Sequence, residues 1–486
     1  MEDVFGFSTF MLNRVHFRFA GSRGIGIILP LVVTAAMWAG PAEYEEGLAL
    51  LKAGRAAEAA SYLELARGRQ PDDPDILYTL AQAYFVLART ADAASSLSDL
   101  ARRHARDPAV LTAAGSLLLA HSMPGPAAGI LTQAQRIDPS NPMLLSLLAK
   151  AQLGSGHAEA SAGTLRNLLS SLKRTAATET QSSIQDALET ATALHVANPK
   201  SVSLGMLAAE LAFLLNRFAD VVRILQPLRN AAARDPGYFN LLAASFAGLG
   251  DFVKATAAGN RALEIAPTQQ DLILNVAGVY QKAGDNQTAI RILQTAVAKG
   301  AISPEIYFAL ALSQFNFGSY SDAVGSCDRA LALNPQFDRA LLLKGRAYAR
   351  MTRREEATAA FREALRIDSA CDYCRCELAE QLAEAGEPAE AQSLLRQVVR
   401  RSPENAAAQY QLGKLLASHG ETHQAIAALE AAVASDQNYE SAWYQLGKLY
   451  NQTVEIAKAK AAFAMVKRIK DQRRSAAEAR MPKVNR

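Results

Sequence analysis

An all-α array of about twelve helix–turn–helix repeats, an α-solenoid, is the fold class this 486-residue sequence predicts. Three observations carry that expectation. A step of 34 residues joins repeat starts at 40, 74, 108 and 142, and again at 202, 236, 270, 304, 338, 372, 406 and 440. The eighth residue of every repeat is small: Gly47, Ala81, Gly115, Ala149, Ala209, Ala243, Ala277, Ala311, Gly345, Ala379, Gly413 and Gly447. The twentieth is Ala in ten of the twelve, with Ser161 and Val221 as the exceptions. Small residues at one place on each of two helices let their backbones approach closely. A fixed repeat of such pairs stacks them into a quasi-one-dimensional array in which each unit touches only its neighbours.

The residues between those two positions set the hairpin. Glycine stands at position 15, the inter-helix turn, in seven repeats, and proline stops five second helices: Pro71, Pro139, Pro267, Pro335 and Pro403. In the last repeat Trp443, Leu446 and Tyr450 recur at helical spacing and so share one face of the first helix. With Gly447 they spell W-x2-L-G-x2-Y, and Ala459 and Phe463 supply the A-x3-F that follows. On these residues and on the register, the sequence resembles the tetratricopeptide-repeat family over about residues 40–470. The resemblance implies a right-handed solenoid. Its working surface would be the concave face, lined by positions 2, 5, 9, 12 and 13 of the first helices. It names no ligand.

The chain divides, in order, into five stretches. Residues 1–42 precede the array: Arg14, Arg18 and Arg23 lead into the apolar run Ile25–Trp38, with small residues after it. A charged start, a short apolar run and small residues form a secretory signal, here with a long start that Met11 would shorten. An uncleaved membrane anchor is the competing reading, although the run is short for a spanning helix. No cysteine stands directly after it, so a lipoprotein anchor is not expected. Residues 43–173 hold repeats one to four. Residues 174–201 break the phase with a polar stretch and one extra amphipathic helix built on Ile184, Ala187, Leu188, Ala191 and Leu194. This extra helix is either a hinge or a packing wedge. Residues 202–470 hold repeats five to twelve, and residues 471–486 form a basic tail.

Composition narrows the function. Half the residues are hydrophobic and only 7% aromatic, which suits an Ala- and Leu-rich helical stack. The net charge of +4 is a property of the tail, because residues 467–486 carry eight Lys or Arg against Asp471 and Glu478. No basic repeat surface is implied, so no nucleic-acid partner is expected. Phosphate-loop, nucleophile-elbow and H-E-x-x-H motifs are absent, and the repeats leave no room for a catalytic domain. The chain is therefore expected to catalyse nothing and to need neither cofactor nor metal. His419 and His423 stand four apart, but Gly420 is a turn residue, and a zinc pair at that spacing needs one continuous helix.

The four cysteines are Cys327, Cys371, Cys374 and Cys376. Arg375 stands where a haem-attachment motif would need histidine, and Cys327 reads as a small core residue. Cys371 falls in the loop before a helix and Cys374 in its first turn. They either bridge, as an exporting compartment permits, or remain inert thiols.

On the positions the resemblance assigns to the concave face, position 5 carries Tyr44, Tyr78, Phe308, Tyr410 and Tyr444. Position 9 carries Arg346, Lys414 and Lys448, and position 13 adds Arg350. The candidate partner-binding residues are Arg346, Arg350, Tyr410, Lys414, Tyr444 and Lys448, an aromatic and cationic set suited to an acidic extended peptide. The competing reading is a set of ordinary solvated side chains with packing tyrosines. The family's carboxylate clamp uses Lys at position 5 and Asn at position 9, and this sequence has neither. The expected function is a non-catalytic, exported bacterial scaffold that binds segments of other proteins, periplasmic or associated with the cell envelope, in envelope assembly or export. Its alternative is a substrate-presenting accessory subunit of a separate enzyme, such as a glycosyltransferase. Contact with a membrane would come only through an uncleaved N-terminal segment.

Overall fold

The computed structural model describes residues 42–172 and 181–480, with side chains up to Ser475. The signal-like run, residues 173–180 and the chain beyond Arg480 lie outside the described residues. All described elements are helical, and the chain divides into two compact units, Met1–Ala266 and Pro267–Arg486.

The first unit begins with four helix pairs. These are α1 (Ala42–Lys52) with α2 (Ala56–Arg69), and α3 (Pro74–Val86) with α4 (Thr90–Arg103). They continue with α5 (Pro108–Ala120) and α6 (Pro124–Ile137), then α7 (Pro142–Gly154) and α8 (Ala158–Leu172). The unpaired α9 (Gln181–Ala197) follows. Next come α10 (Val202–Leu214) with α11 (Phe218–Leu225), and α12 (Pro236–Gly248) with α13 (Phe252–Ile265). The second unit holds six pairs: α14 (Gln270–Lys282) and α15 (Asn286–Ala298), α16 (Pro304–Phe317) and α17 (Tyr320–Leu333), α18 (Asp338–Arg350) and α19 (Arg354–Ile367). The remaining three are α20 (Asp372–Ala385) and α21 (Pro388–Arg401), α22 (Ala406–Ser418) and α23 (Thr422–Ser435), and α24 (Glu440–Gln452) and α25 (Ile456–Arg480). Twelve pairs stand in the 34-residue register of the sequence.

Local chemistry starts and stops these helices. Asp73, Asp107, Asn141, Asp235 and Ser303 cap first helices by accepting backbone N–H groups, each followed by proline at the first helical position. At position 15 all twelve turns adopt the left-handed conformation. Seven are glycine, and the other five are Ala88, Ser122, Asn216, Thr352 and Val454, with φ between 56° and 63°. The turn geometry is thus imposed by the hairpin even where the residue resists it.

Packing explains the small residue at position 8. Sixteen residues on, position 24 of the second helix presses against it. A β-carbon on Gly47, Gly115 or Gly413 would lie 2.8, 2.4 or 2.6 Å from Leu63, Leu131 or Leu429 respectively. Where position 20 departs from Ala, Ser161 hides its hydroxyl by donating to the Ala149 carbonyl at 2.7 Å, and Val221 is fully buried.

The extra helix α9 is a wedge. It packs on both α7 and α10, and Ile184, Ala187, Leu188, Ala191 and Leu194 join one apolar cluster running from Leu145 to Leu242. Pro227 cuts α11 short, since it has no N–H to donate. The Tyr238 hydroxyl donates to the Leu225 carbonyl at 3.1 Å, and the 3-10 turn that follows carries Leu228 to within 2.2 Å of where a Gly205 β-carbon would stand.

Candidate functional site

In the second unit the first helices α14, α16, α18, α20, α22 and α24 each touch the next one, whereas each second helix makes its main contacts with the first helices on either side. Helices that meet their counterparts in successive repeats form the inner layer. The positions assigned to the groove are carried, from α18 to α24, by helices of this one layer.

The six candidate residues are spread over three of these helices, and each has a different setting. Arg346 on α18 is largely enclosed: its Nε lies 3.8 Å from the Glu377 carboxylate of α20, and its side chain is only 21% exposed. Its guanidinium also sits 5.0 Å from the ring centre of Phe315 and 5.7 Å from that of Tyr373. Arg350 donates through Nε to the Tyr320 hydroxyl at 3.3 Å. Tyr410 is half-buried, its ring 5.0 Å from that of Tyr439, whose phenol burial pushes up to about 12. Tyr444 is 49% exposed, with Lys448 Nζ 6.0 Å from its ring centre and Phe463 behind it at the same distance. Lys414 is exposed, and its charge is felt by Glu380 of α20.

The structure thus joins Tyr444 with Lys448, and Arg346 with partners on α16 and α20, but it does not give one continuous basic stripe. Helix α20 stands between α18 and α22 and presents Glu377, Glu380 and Glu384. Desolvation raises the Glu380 carboxyl above the usual carboxylate range, the Glu377 charge adds to that, and Lys414 opposes it. Glu384 is paired with Arg354 at 3.4 Å. The groove is mixed in charge: acidic along α20, cationic and aromatic along α22 and α24. Sequence reasoning missed Phe315, Tyr373, Glu377, Glu380 and Tyr439. Positions 2, 9, 12 and 13 already contain Tyr373, Glu380, Phe315 and Glu384. Reading those positions for carboxylates as well as for cations would have found the acidic helix.

The remaining aromatic residues at position 5 pack rather than project. Tyr44 and Tyr78 lie partly buried against the core of the first unit, and Phe308 is buried beside Phe337. His419 closes α22, where its Nδ1 lies 2.8 Å from the Leu415 carbonyl oxygen. Gly420, at φ +79°, separates it from the helix that holds His423. Among the described residues no group of three or more His, Cys, Asp or Glu is placed to hold a metal ion, and no helix is long and apolar enough to cross a membrane.

The structure draws Cys371 and Cys374 as a bonded pair, with Cα atoms 5.3 Å apart. Cys371 is the N-cap of α20, and its Sγ accepts the Cys374 N–H at 3.0 Å. Cys327 and Cys376 are buried free thiols, each pushed up to about 12 by desolvation.

Family models described as tetratricopeptide repeat match residues 50–117 and 382–446, residues 277–336, and residues 338–371. No curated protein matches the chain. Among solved structures, the fragment of MamA from residue 41 to its end, from Desulfovibrio magneticus RS-1, is 19% identical. The match covers 35% of this chain and 96% of that one, with a TM-score of 0.32. YrrB, described as a TPR protein with an unusual peptide-binding site, is 22% identical over 38% of this chain and 96% of its own, at 0.31. The Cut9–Hcn1 hetero-tetramer of APC/C is 14% identical over 87% of this chain and 85% of its own, at 0.36. At these scores the assignment rests on the repeat models and on the twelve-fold register of small residues. The chain belongs to the tetratricopeptide-repeat family.

Proposed function

We propose that this protein is a non-catalytic scaffold whose second unit binds an extended segment of a partner protein in the groove of α20, α22 and α24. The observation that carries this reading is Tyr444: a large aromatic, half exposed, beside Lys448 and on a helix whose opposite face is buried. Side chains fixed on rigid helices lose little freedom on binding. Individual exposed charge pairs contribute only about 0–1 kcal/mol, so several contacts must act together. The mixed charge defines the partner segment: an acidic residue to meet Lys414 and Lys448, an aromatic or apolar one for Tyr444, and a basic one toward Glu380.

We further propose that the protein is exported and works in the cell envelope, in assembly or export. The Arg-flanked run Ile25–Trp38 with small residues after it supports this, and the mature chain would then start near Glu43. A photo-crosslinking amino acid placed at Tyr444 in the native host tests both parts of the proposal. The expected result is a discrete adduct with an envelope protein, which the same group at exposed Tyr62 in the first unit does not form. Equal labelling from both positions, or none from Tyr444, would contradict the groove. Cytoplasmic recovery of a chain beginning at Met1 or Met11 would contradict export.

A further inference from the structure

We propose that Cys371 and Cys374 form a thiol–disulfide exchange site at the N-terminus of α20, with Cys371 as the attacking and attacked sulfur and a low-molecular-weight or protein disulfide as its co-reactant. The two sulfurs are not equivalent. Cys374 is 1% exposed, whereas Cys371 is partly exposed at the helix cap, so an incoming sulfur reaches Cys371 alone. The setting of Cys371 favours its thiolate. It already accepts the backbone N–H of Cys374 at 3.0 Å, at the positive end of a fourteen-residue helix. Two guanidiniums converge on the loop that carries it: Arg375 donates to the Ser369 carbonyl, and Arg401 donates to the Ala370 carbonyl and pairs with Asp372. Arg375 Nη1 is buried with no hydrogen-bond acceptor, 3.6 Å from Asp372, while the loop's other carboxylate, Asp368, is engaged by the Ala370 N–H at 2.8 Å.

The bridge is a poor structural staple. It closes a loop of only a few residues, where the entropic gain from cross-linking the unfolded chain is smallest. The helix start is also held independently, by Arg401 and by the Ser402 hydroxyl, which donates to Asp372 at 2.9 Å. Cys327 and Cys376 do not compete, because both are buried.

The exchange balances without a further reagent. The Cys371 thiolate attacks one sulfur of a disulfide, the S–S bond breaks, and one thiolate leaves. The Cys374 thiol gives its proton to the thiolate released in the first step and attacks the Cys371 sulfur, releasing the second thiolate and closing the Cys371–Cys374 bond. Two electrons pass to the co-reactant, and a dithiol reverses both steps.

The test uses the full chain, reduced and desalted, with glutathione disulfide and iodoacetamide as probes. Alkylation of the native protein should modify one thiol per chain, with a midpoint at least one pH unit below the ordinary thiol value of about 8.5. Cys371→Ser, which keeps a competent helix cap, should abolish it. Cys374→Ser should retain it and stall with glutathione as a mixed disulfide on Cys371, whereas the wild-type chain should proceed to the bridge. A midpoint near about 8.5, reactivity that survives Cys371→Ser, or two inert thiols in the folded chain would each overturn the proposal. Circular dichroism of both variants distinguishes lost reactivity from lost fold.

Discussion

Gly345 of α18 and Phe361 of α19 are fitted to each other: a β-carbon on the glycine would lie 2.5 Å from Phe361 Cε1, and the phenyl ring is fully buried. The same fit recurs at Gly447 and Phe463, where the distance would be 2.7 Å. Phenylalanine appears at position 24 in no other repeat, and opposite an alanine that position is Leu, Gly or Cys. Volume is conserved across the pair, as close-packed interiors require. Gly345→Ala should therefore destabilise the second unit by about 1–2 kcal/mol, overpacking outweighing the gain in helix propensity. Gly345→Ala with Phe361→Leu should recover most of it, because Ala opposite Leu is the pairing of other repeats. Gly278→Ala, where no atom lies within 4 Å, is the control and should not destabilise. Chemical denaturation of these three variants beside the wild type checks the expectation.

Val454 holds a left-handed turn, φ 63°, with a β-branched side chain that is 77% exposed. A left-handed L-residue costs roughly 1–2 kcal/mol, and glycine returns some of that as lost backbone entropy. Val454→Gly should stabilise the last hairpin by about 0.5–1 kcal/mol, read as slower hydrogen exchange in α24 and α25. Unchanged or faster exchange would show that the turn carries no strain.

Asp99, buried in the first unit, accepts from Arg102 at 2.5 Å, Arg103 at 3.0 Å and Arg67 at 3.1 Å. The hydrogen bond from Arg102 is the largest influence lowering its carboxyl, with Arg103 assisting against desolvation. A carboxylate whose folded pKa is depressed stabilises the fold fully above its unfolded pKa, near 3.8, and loses that contribution as pH falls through the folded value. Asp99→Asn should thus cost about 1–3 kcal/mol at pH 7, and the difference from wild type should shrink below about pH 3.8. Denaturant titrations at the two pH values measure it.

The register was legible in the sequence because packing dictates it: Gly345 must be small, and so must its eleven counterparts. The left-handed turns were legible at seven glycines but not at Val454 or Thr352, where the hairpin overrides residue preference. Trp443 reads as a buried anchor in W-x2-L-G-x2-Y, yet it is half-buried, its Nε1 donating to the Gln437 carbonyl at 2.9 Å. Trp443→Ala is accordingly expected to cost about 2 kcal/mol, below the roughly 3–5 of a fully buried large aromatic. The groove was the least legible part. Arg346 reads as a free cation until Glu377 is brought beside it from the next repeat, a neighbour that no pattern within one helix reveals.

The central claim, that α22 and α24 offer a cationic and aromatic site for a partner segment, is tested most directly by selecting displayed random peptides on the isolated full chain. Wild-type protein should enrich peptides that pair acidic with aromatic residues, and their binding should weaken as salt rises. Lys414→Glu with Lys448→Glu should lose that enrichment while helical content by circular dichroism is unchanged. Enrichment of the same peptides by the double variant, with the same salt dependence, would contradict the claim.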